Sequence, residues 1–180
     1  QTRPHITINS VINYFTTKPV TFHPSALITQ EVQLPDVSFY QGEINYAVMC
    51  MRTDAIIIRA GQNLWTDDEF ERNYIEAKKC GKKVGVYWFY DDRISPGKQA
   101  EILISLLIDK TLEMEVWIDW ENSYGGQFDG LNNVVAMMQV IEGAGLSIKG
   151  VGLYTGYYWF IENSNSTMNA SQYNYLRSHP

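Results

Sequence analysis

The chain has 180 residues, 45% of them hydrophobic, so it is long enough to bury one sizeable core and too apolar to be disordered. Its net charge of -6 argues against a nucleic-acid groove, which needs a face rich in Lys and Arg. No segment reaches the ~18 apolar residues that a membrane span requires. The 12 Tyr and 5 Trp residues fit either stacking on sugar rings or ordinary core packing.

Residues 1–33 are rich in Thr, Pro, Val and Ile without a helical period, and we interpret them as an arm or linker. From Leu34 onwards, strand-like runs alternate with helix-like runs, which predicts one domain over 34–180. The predicted strands are 34–39, 54–60, 83–90, 115–121 and 149–155. The predicted helices are 44–51, 66–80 with Thr66 as N-cap, 97–109, 131–142 capped by Asp129, and 170–177, with an aromatic loop after residue 155.

Five strands that alternate with helices predict βαβ units and a parallel sheet, in either an open doubly wound sheet or a (β/α) barrel. No GxGxxG follows the first strand and no Walker A motif occurs, which disfavours nucleotide binding. Cys50 and Cys80 stand outside any CxxC or Cys/His cluster, so zinc is not expected. The two cysteines are predicted to be buried free thiols.

In both architectures, functional side chains gather at the carboxyl ends of the strands. Acids and aromatic residues recur there, in the segments Asp36-Val37-Ser38, Arg59-Ala60-Gly61-Gln62, 87–92, Asp119-Trp120-Glu121 and 154–159. Asp36 is either a turn former or a third inward carboxylate. Arg59 follows three isoleucines, and a buried Arg usually has a carboxylate partner. The pairs 91–92 and 67–68 are interpreted as loop and helix-start charges.

Asp119 and Glu121 are the most informative pair. Side chains alternate along a strand, so both carboxylates point to the same side. If water is scarce there, their repulsion raises one pKa and leaves one protonated acid beside an ionised partner, the division of labour that glycoside hydrolysis needs. The alternatives are a solvated or amide-bound structural pair and, with Asp36, a set of oxygen ligands for Mg²⁺ or Ca²⁺ in a metal-dependent hydrolase.

Five segments together resemble the glycoside hydrolase family 25 muramidases, the Chalaropsis-type lysozymes. They occur in the order and with the spacing of that family, over residues 34 to about 160. The segments are Asp36-Val37-Ser38-Phe39-Tyr40-Gln41-Gly42, Ile56-Ile57-Ile58-Arg59-Ala60-Gly61-Gln62, Gly85-Val86-Tyr87-Trp88-Phe89, Ile118-Asp119-Trp120-Glu121 and Gly152-Leu153-Tyr154-Thr155.

The resemblance implies a (β/α) barrel that cleaves the β-1,4 bond between N-acetylmuramic acid and N-acetylglucosamine in peptidoglycan, with no metal or cofactor. It implies Glu121 as general acid, Asp119 as its carboxylate partner and Asp36 as a further acid on the cleft floor. The predicted substrate-binding residues are Tyr87, Phe89, Tyr154, Arg59, Gln62 and Trp159. The expected partners are peptidoglycan glycan strands at the bacterial cell wall, outside the cell or on a virion, and not a nucleic acid or a membrane.

The sequence departs from the family at its end, because only about five of the eight barrel strands are recognisable before Pro180. We therefore expect the remaining strands to be missing from this chain or held on another one, with the remainder of the polypeptide or other virion proteins as partners. An incomplete cleft keeps a second reading open: a non-catalytic cell-wall glycan-binding or structural module of a phage particle with the same fold.

Overall fold

The computed structural model describes residues 34–164 and 169–180, so the predicted arm at 1–33 lies outside the described residues. The fold is α/β, as predicted. The strands are β1 (Asp36–Val37), β2 (Ala55–Gln62), β3 (Trp65–Thr66), β4 (Lys83–Phe89), β5 (Val116–Asp119) and β6 (Val151–Tyr154). The helices are α1 (Tyr46–Arg52), α2 (Phe70–Lys79), α3 (Pro96–Leu107), α4 (Leu131–Glu142), α5 (Tyr157–Ser164) and α6 (Ala170–Arg177), with a 3₁₀ turn at Phe39–Gln41. None of these described helices is long and apolar enough to cross a membrane.

The sheet has the order β1-β2-β4-β5-β6, and these five strands pair in parallel, as the sequence predicts. The short β3 pairs antiparallel with the end of β2. Each parallel strand lies beside the one before it in the chain, without the reversal of order that defines a doubly wound sheet. This order favours the wall of a (β/α) barrel, and closure of the barrel remains a prediction.

The two faces of the sheet differ in chemistry. Ile58, Trp88, Ile118 and Trp120 lie fully buried in the hydrophobic core that the helices cover. On each strand the alternate residues point to the other face, which carries the carboxylates and tyrosines at the strand ends. The buried apolar residues of the strands therefore form the face of the sheet that the helices cover. The polar residues between them lie on the opposite face, where we look for a functional site.

Both predicted helix caps were wrong. Thr66 is used by the sheet, where it pairs with Gly61, so α2 begins only at Phe70. Asp129 makes no side-chain cap hydrogen bond to α4; its carboxylate accepts from the Gly130 amide at 2.7 Å and lies 2.9 Å from the Ser123 hydroxyl oxygen. In each case the residue bonds to a position that precedes the helix and not to the amides of its first turn.

The cysteine prediction was also wrong. Cys50 in α1 and Cys80 directly after α2 form a disulfide, with their Cα atoms 6.2 Å apart. The two helices pack side by side and bring the two residues together, which a sequence separation of 30 does not reveal.

The segment after residue 155 is helical rather than a loop. The amide of Phe160 donates to the carbonyl oxygen of Gly156 at 2.8 Å, and Trp159 and Phe160 pack against the core. Burial of these rings outweighs the modest helix propensity of aromatic residues. As a result α5 begins at the carboxyl end of β6, beside the predicted catalytic strand.

Candidate active site

The backbone around the Asp119–Glu121 pair is fixed from two sides. The Tyr90 amide donates to the Asp119 carbonyl oxygen at 2.8 Å, and the Trp120 amide donates to the Tyr154 carbonyl oxygen at 2.9 Å. The Thr155 hydroxyl donates to the Trp120 carbonyl oxygen at 2.6 Å. The positions of both carboxylates therefore depend on β4 and β6 as well as on their own strand. Thr155 was not singled out from the sequence, because its contact is visible only once β5 and β6 are paired.

Asp119 is the last residue of β5 and only 8% exposed. Burial raises the pKa of its carboxyl well above the ordinary value, and the negative charges of Glu121 and Asp36 raise it further, against the opposing charge of Arg59. One of its oxygens, Oδ1, is buried and has no hydrogen-bond partner among the described residues. The site thus contains a carboxyl that resists ionisation and has an unused polar atom.

Glu121 lies two residues beyond the end of β5 and is exposed. Its Oε1 lies beside Gly156. A Cβ built on Gly156 would be 3.8 Å from this oxygen, which is an ordinary van der Waals distance. The pair therefore combines a buried carboxyl with an exposed one at the same sheet edge. This asymmetry gives the two groups different solvation and different access to a ligand.

Asp36 contributes to the same electrostatic cluster, and its role as a third acid stays a prediction. It is an exposed residue of β1, and its charge contributes to the raised pKa values of Asp119, Tyr87 and Tyr154. These residues lie on four different strands, so the fold brings together acids that are 83 positions apart in the sequence, from 36 to 119.

The predicted sugar-binding residues occupy two layers of the same face. Tyr87 is in register with Arg59, and Phe89 and Tyr154 are both in register with Asp119. Burial raises the pKa of Tyr154, and the charges of Glu121 and Asp119 add to that effect. Trp159 lies differently, because it is partly buried and packs edge-on against Trp120 at 5.9 Å between ring centroids. Trp159 therefore packs behind the Asp119–Glu121 pair, against Trp120.

Arg59 and Gln62 form a pair of their own. Arg59 is 5% exposed, and its Nη2 donates to Oε1 of Gln62. The expected carboxylate partner is replaced by this amide and by three aromatic rings that surround the guanidinium. The positive charge remains close enough to Asp119 to oppose the rise in its pKa.

Asp91 and Asp92 lie in the loop that follows β4, as interpreted from the sequence, and both are fully buried. Arg93 binds Asp91 through two hydrogen bonds of 2.9 and 2.6 Å and lowers the pKa of that carboxyl. Asp92 accepts from the Ser123 hydroxyl at 2.6 Å and from the Tyr124 amide at 3.0 Å. Asp92 thereby anchors the loop that follows Glu121, a role that no local sequence signal indicates.

Metal binding was one alternative for the acids. Within 34–164 and 169–180, no group of three or more His, Cys, Asp or Glu side chains is arranged to hold a metal ion.

The family relationship is established by comparison with known proteins. The model of the glycosyl hydrolases of family 25 matches residues 35–178, so the chain belongs to this family and the resemblance is confirmed. No curated protein matches the chain.

Several solved structures share the fold. A family 25 glycosyl hydrolase from Bacillus anthracis has 20% identity and a TM-score of 0.65, over 85% of this chain and 73% of that one. A muramidase from Trichobolus zukalii has 25% identity and a TM-score of 0.58, over 70% and 66%. The modular autolysin LytC from Streptococcus pneumoniae, solved with a synthetic peptidoglycan ligand, has 21% identity and a TM-score of 0.57, over 70% and 32%. The chain therefore spans about a third of LytC and about two thirds to three quarters of the other two.

Proposed function

We propose that the protein is a muramidase that hydrolyses the β-1,4 bond between N-acetylmuramic acid and N-acetylglucosamine in peptidoglycan. The observation that carries this proposal is the pairing of a buried carboxyl, Asp119, with an exposed one, Glu121, at the end of β5 in a family 25 chain. Glycoside hydrolysis uses two carboxyl groups in different protonation states, and this arrangement separates their environments.

In the proposed reaction, Glu121 gives its proton to the glycosidic oxygen while the bond from that oxygen to the anomeric carbon breaks. Burial and the charge of Glu121 raise the pKa of Asp119, so this carboxyl keeps its proton to a higher pH than an isolated carboxyl would. Glu121 is the member exposed to the cleft and passes that proton on. Asp119 then carries the negative charge that stabilises the oxocarbenium-like sugar, directly or through the substrate acetamido group. Water completes the hydrolysis and restores the proton.

Asp36 is assigned to the cleft floor, where its charge acts on Asp119 and Tyr87. Phe89 and Tyr154 are assigned to the sugar subsites because they are in register with Asp119, and Tyr87 because it lies on the same face of β4 as Phe89.

Two further observations support peptidoglycan as the substrate. The structural relatives include a muramidase and an autolysin solved with a peptidoglycan ligand. The Cys50–Cys80 disulfide suits a protein that works outside the reducing cytosol, at the cell wall or on a virion.

The substitution Glu121→Gln tests the role of the acid. Release of reducing sugar ends from purified peptidoglycan should fall by about 10²–10⁴-fold, the typical contribution of general acid–base catalysis, with an unchanged melting temperature. Glu101→Gln is the matched control, because Glu101 is an exposed carboxylate on α3. Full activity in Glu121→Gln would remove Glu121 from the mechanism.

The same assay separates the other readings. Binding of the wild-type protein to cell walls without release of reducing ends would favour the non-catalytic glycan-binding module. Loss of activity on addition of a chelator, with recovery on addition of Mg²⁺ or Ca²⁺, would favour the metal-dependent hydrolase.

A further inference from the structure

Three aromatic side chains are exposed together at the carboxyl ends of β1 and β2. Phe39 is 36% exposed, Tyr40 is 76% exposed and Trp65 is 41% exposed. The ring centroids of Phe39 and Tyr40 are 4.0 Å apart, and those of Phe39 and Trp65 are 6.0 Å apart. We call these three residues the aromatic platform. Contiguous exposed rings of this kind are uncommon on a protein surface unless something binds them.

The platform rests on a buried charge. The guanidinium carbon of Arg59 lies 4.9 Å from the Trp65 ring centroid, 5.5 Å from that of Phe39 and 5.7 Å from that of Tyr40. Cation–π attraction at these distances holds each ring from below. Each ring therefore contacts the guanidinium on one side and keeps part of its surface exposed.

A buried carboxylate connects the two segments that carry the rings. Asp67 accepts a hydrogen bond from the Phe39 amide at 3.1 Å through Oδ2, and from the Glu69 amide at 3.0 Å through Oδ1. Its own amide donates to the Ala60 carbonyl oxygen at 2.9 Å. The turn that presents Phe39 and Tyr40 is thus tied to the hairpin that presents Trp65. A platform fixed in this way loses little conformational entropy when a ligand binds.

The platform is continuous with the candidate active site. The charge of Arg59 affects the pKa values of both Tyr87 and Asp119, so the platform lies beside the catalytic face. Only β4 separates β2 from β5, which corresponds to about 10 Å at the usual spacing between strands. A glycan strand that passes over Asp119 reaches the platform with its neighbouring sugar rings.

We propose that Phe39, Tyr40 and Trp65 form an outer sugar subsite, on which a pyranose ring of the bound glycan strand stacks its apolar face. This inference rests on the proposed function and extends it to the length of glycan that the enzyme recognises. The exposed surface of an aromatic ring fits the apolar face of a pyranose, and because Trp65 is tilted 70° from Phe39, a sugar ring stacks on one of the three rings at a time.

The test uses the Glu121→Gln protein, so that bound glycan is not consumed. Isothermal titration calorimetry measures its Kd for peptide-free glycan strands of alternating N-acetylglucosamine and N-acetylmuramic acid, and for the single disaccharide. Adding Trp65→Ala or Tyr40→Ala should weaken binding of the long strands about tenfold, as loss of a central aromatic contact usually does. Binding of the disaccharide should change much less, and Trp65→Phe should retain most of the affinity for long strands.

The matched control is Tyr173→Ala, because Tyr173 is 49% exposed on α6 and also carries a cation, Arg177, at its ring. An equal loss of affinity in this control, or unchanged Kd values in both platform variants, would overturn the subsite. Absence of any binding of long strands to Glu121→Gln would overturn it as well.

The proposed function is judged separately, by release of reducing ends with the wild-type protein. If the wild-type protein does not cleave but Trp65→Ala weakens glycan binding, the subsite is supported and the muramidase assignment is wrong. If the wild-type protein cleaves and neither platform substitution changes the Kd for long strands, the muramidase assignment is supported and the subsite is wrong.

Discussion

The hydroxyl of Thr155 donates a hydrogen bond of 2.6 Å to the backbone carbonyl oxygen of Trp120, the residue that separates Asp119 from Glu121. The Trp120 amide donates in turn to the Tyr154 carbonyl oxygen at 2.9 Å. The peptide groups between the two carboxylates are thus held by Tyr154, the last residue of β6, and by Thr155, which follows it, so the geometry of the pair depends on the end of this strand.

Removal of that hydroxyl should therefore affect the reaction more than the fold. We expect Thr155→Val to lower kcat roughly tenfold, since a misplacement on the order of 1 Å costs up to about 100-fold in rate. The free energy of unfolding should fall by only about 1 kcal/mol, the usual net contribution of one hydrogen bond. Steady-state kinetics and urea unfolding measure the two effects. Thr155→Ser restores the hydroxyl and should recover kcat; failure to do so would show that the methyl group is what matters.

Asp119 should make stability depend on pH in a defined direction. The pKa of this carboxyl is raised by folding, so between its unfolded and folded values the folded state binds more protons, and stability falls as pH rises through that window. Asp119→Asn cannot ionise and should raise the melting temperature at pH 7, with little effect near pH 3, where both states of the wild type are protonated. The same variant should lose most of its activity. Equal shifts of the melting temperature at both pH values would contradict the raised pKa.

The sequence predicted the parallel strands and the location of Asp119 at the end of one of them, while the common orientation of Asp119 and Glu121 stays a prediction. These features follow from local patterns, apolar runs and the alternation of side chains along a strand. The sequence did not predict which carboxyl is buried, because that depends on how β4 and β6 cover the end of β5. Strand β5 ends at Asp119, two residues before the predicted end, and leaves Glu121 exposed.

Two of the errors share one physical origin. Thr66 and Cys50 each have their decisive partner on another element, at Gly61 and Cys80 respectively. Local propensity carries no information about such partners, and tertiary contacts override it where the two disagree. Arg59 shows the same effect, since its expected carboxylate partner is replaced by Gln62 and by rings from two other segments.

The Cys50–Cys80 disulfide should stabilise the protein against unfolding. A cross-link that closes a loop of 30 residues removes conformational entropy from the unfolded chain worth about 3–4 kcal/mol in the chain-entropy model. We expect the double substitution of both cysteines by Ser, or treatment with a reductant, to lower the free energy of urea unfolding by about that amount. Catalytic constants measured well below the melting temperature should change little, because both residues belong to the α1–α2 contact and not to the face that carries Asp119. If activity falls under conditions where the variant is fully folded, the disulfide would instead influence the geometry of the cleft.

Gly126 should be required for the loop that follows Glu121. A Cβ at this position would overlap the backbone of Asp92, whose carboxylate anchors the same loop through Ser123 and Tyr124. We expect Gly126→Ala to lower the free energy of unfolding by about 1–3 kcal/mol, as overpacking of a closed site does. It should also lower kcat, because the displaced loop begins next to Glu121, the proposed proton donor. Gly97→Ala is the control: a Cβ there meets nothing within 4 Å, and in the first turn of α3 alanine should be neutral or slightly stabilising. If Gly126→Ala matches this control in both unfolding and kinetics, the loop is not held against Asp92 in solution.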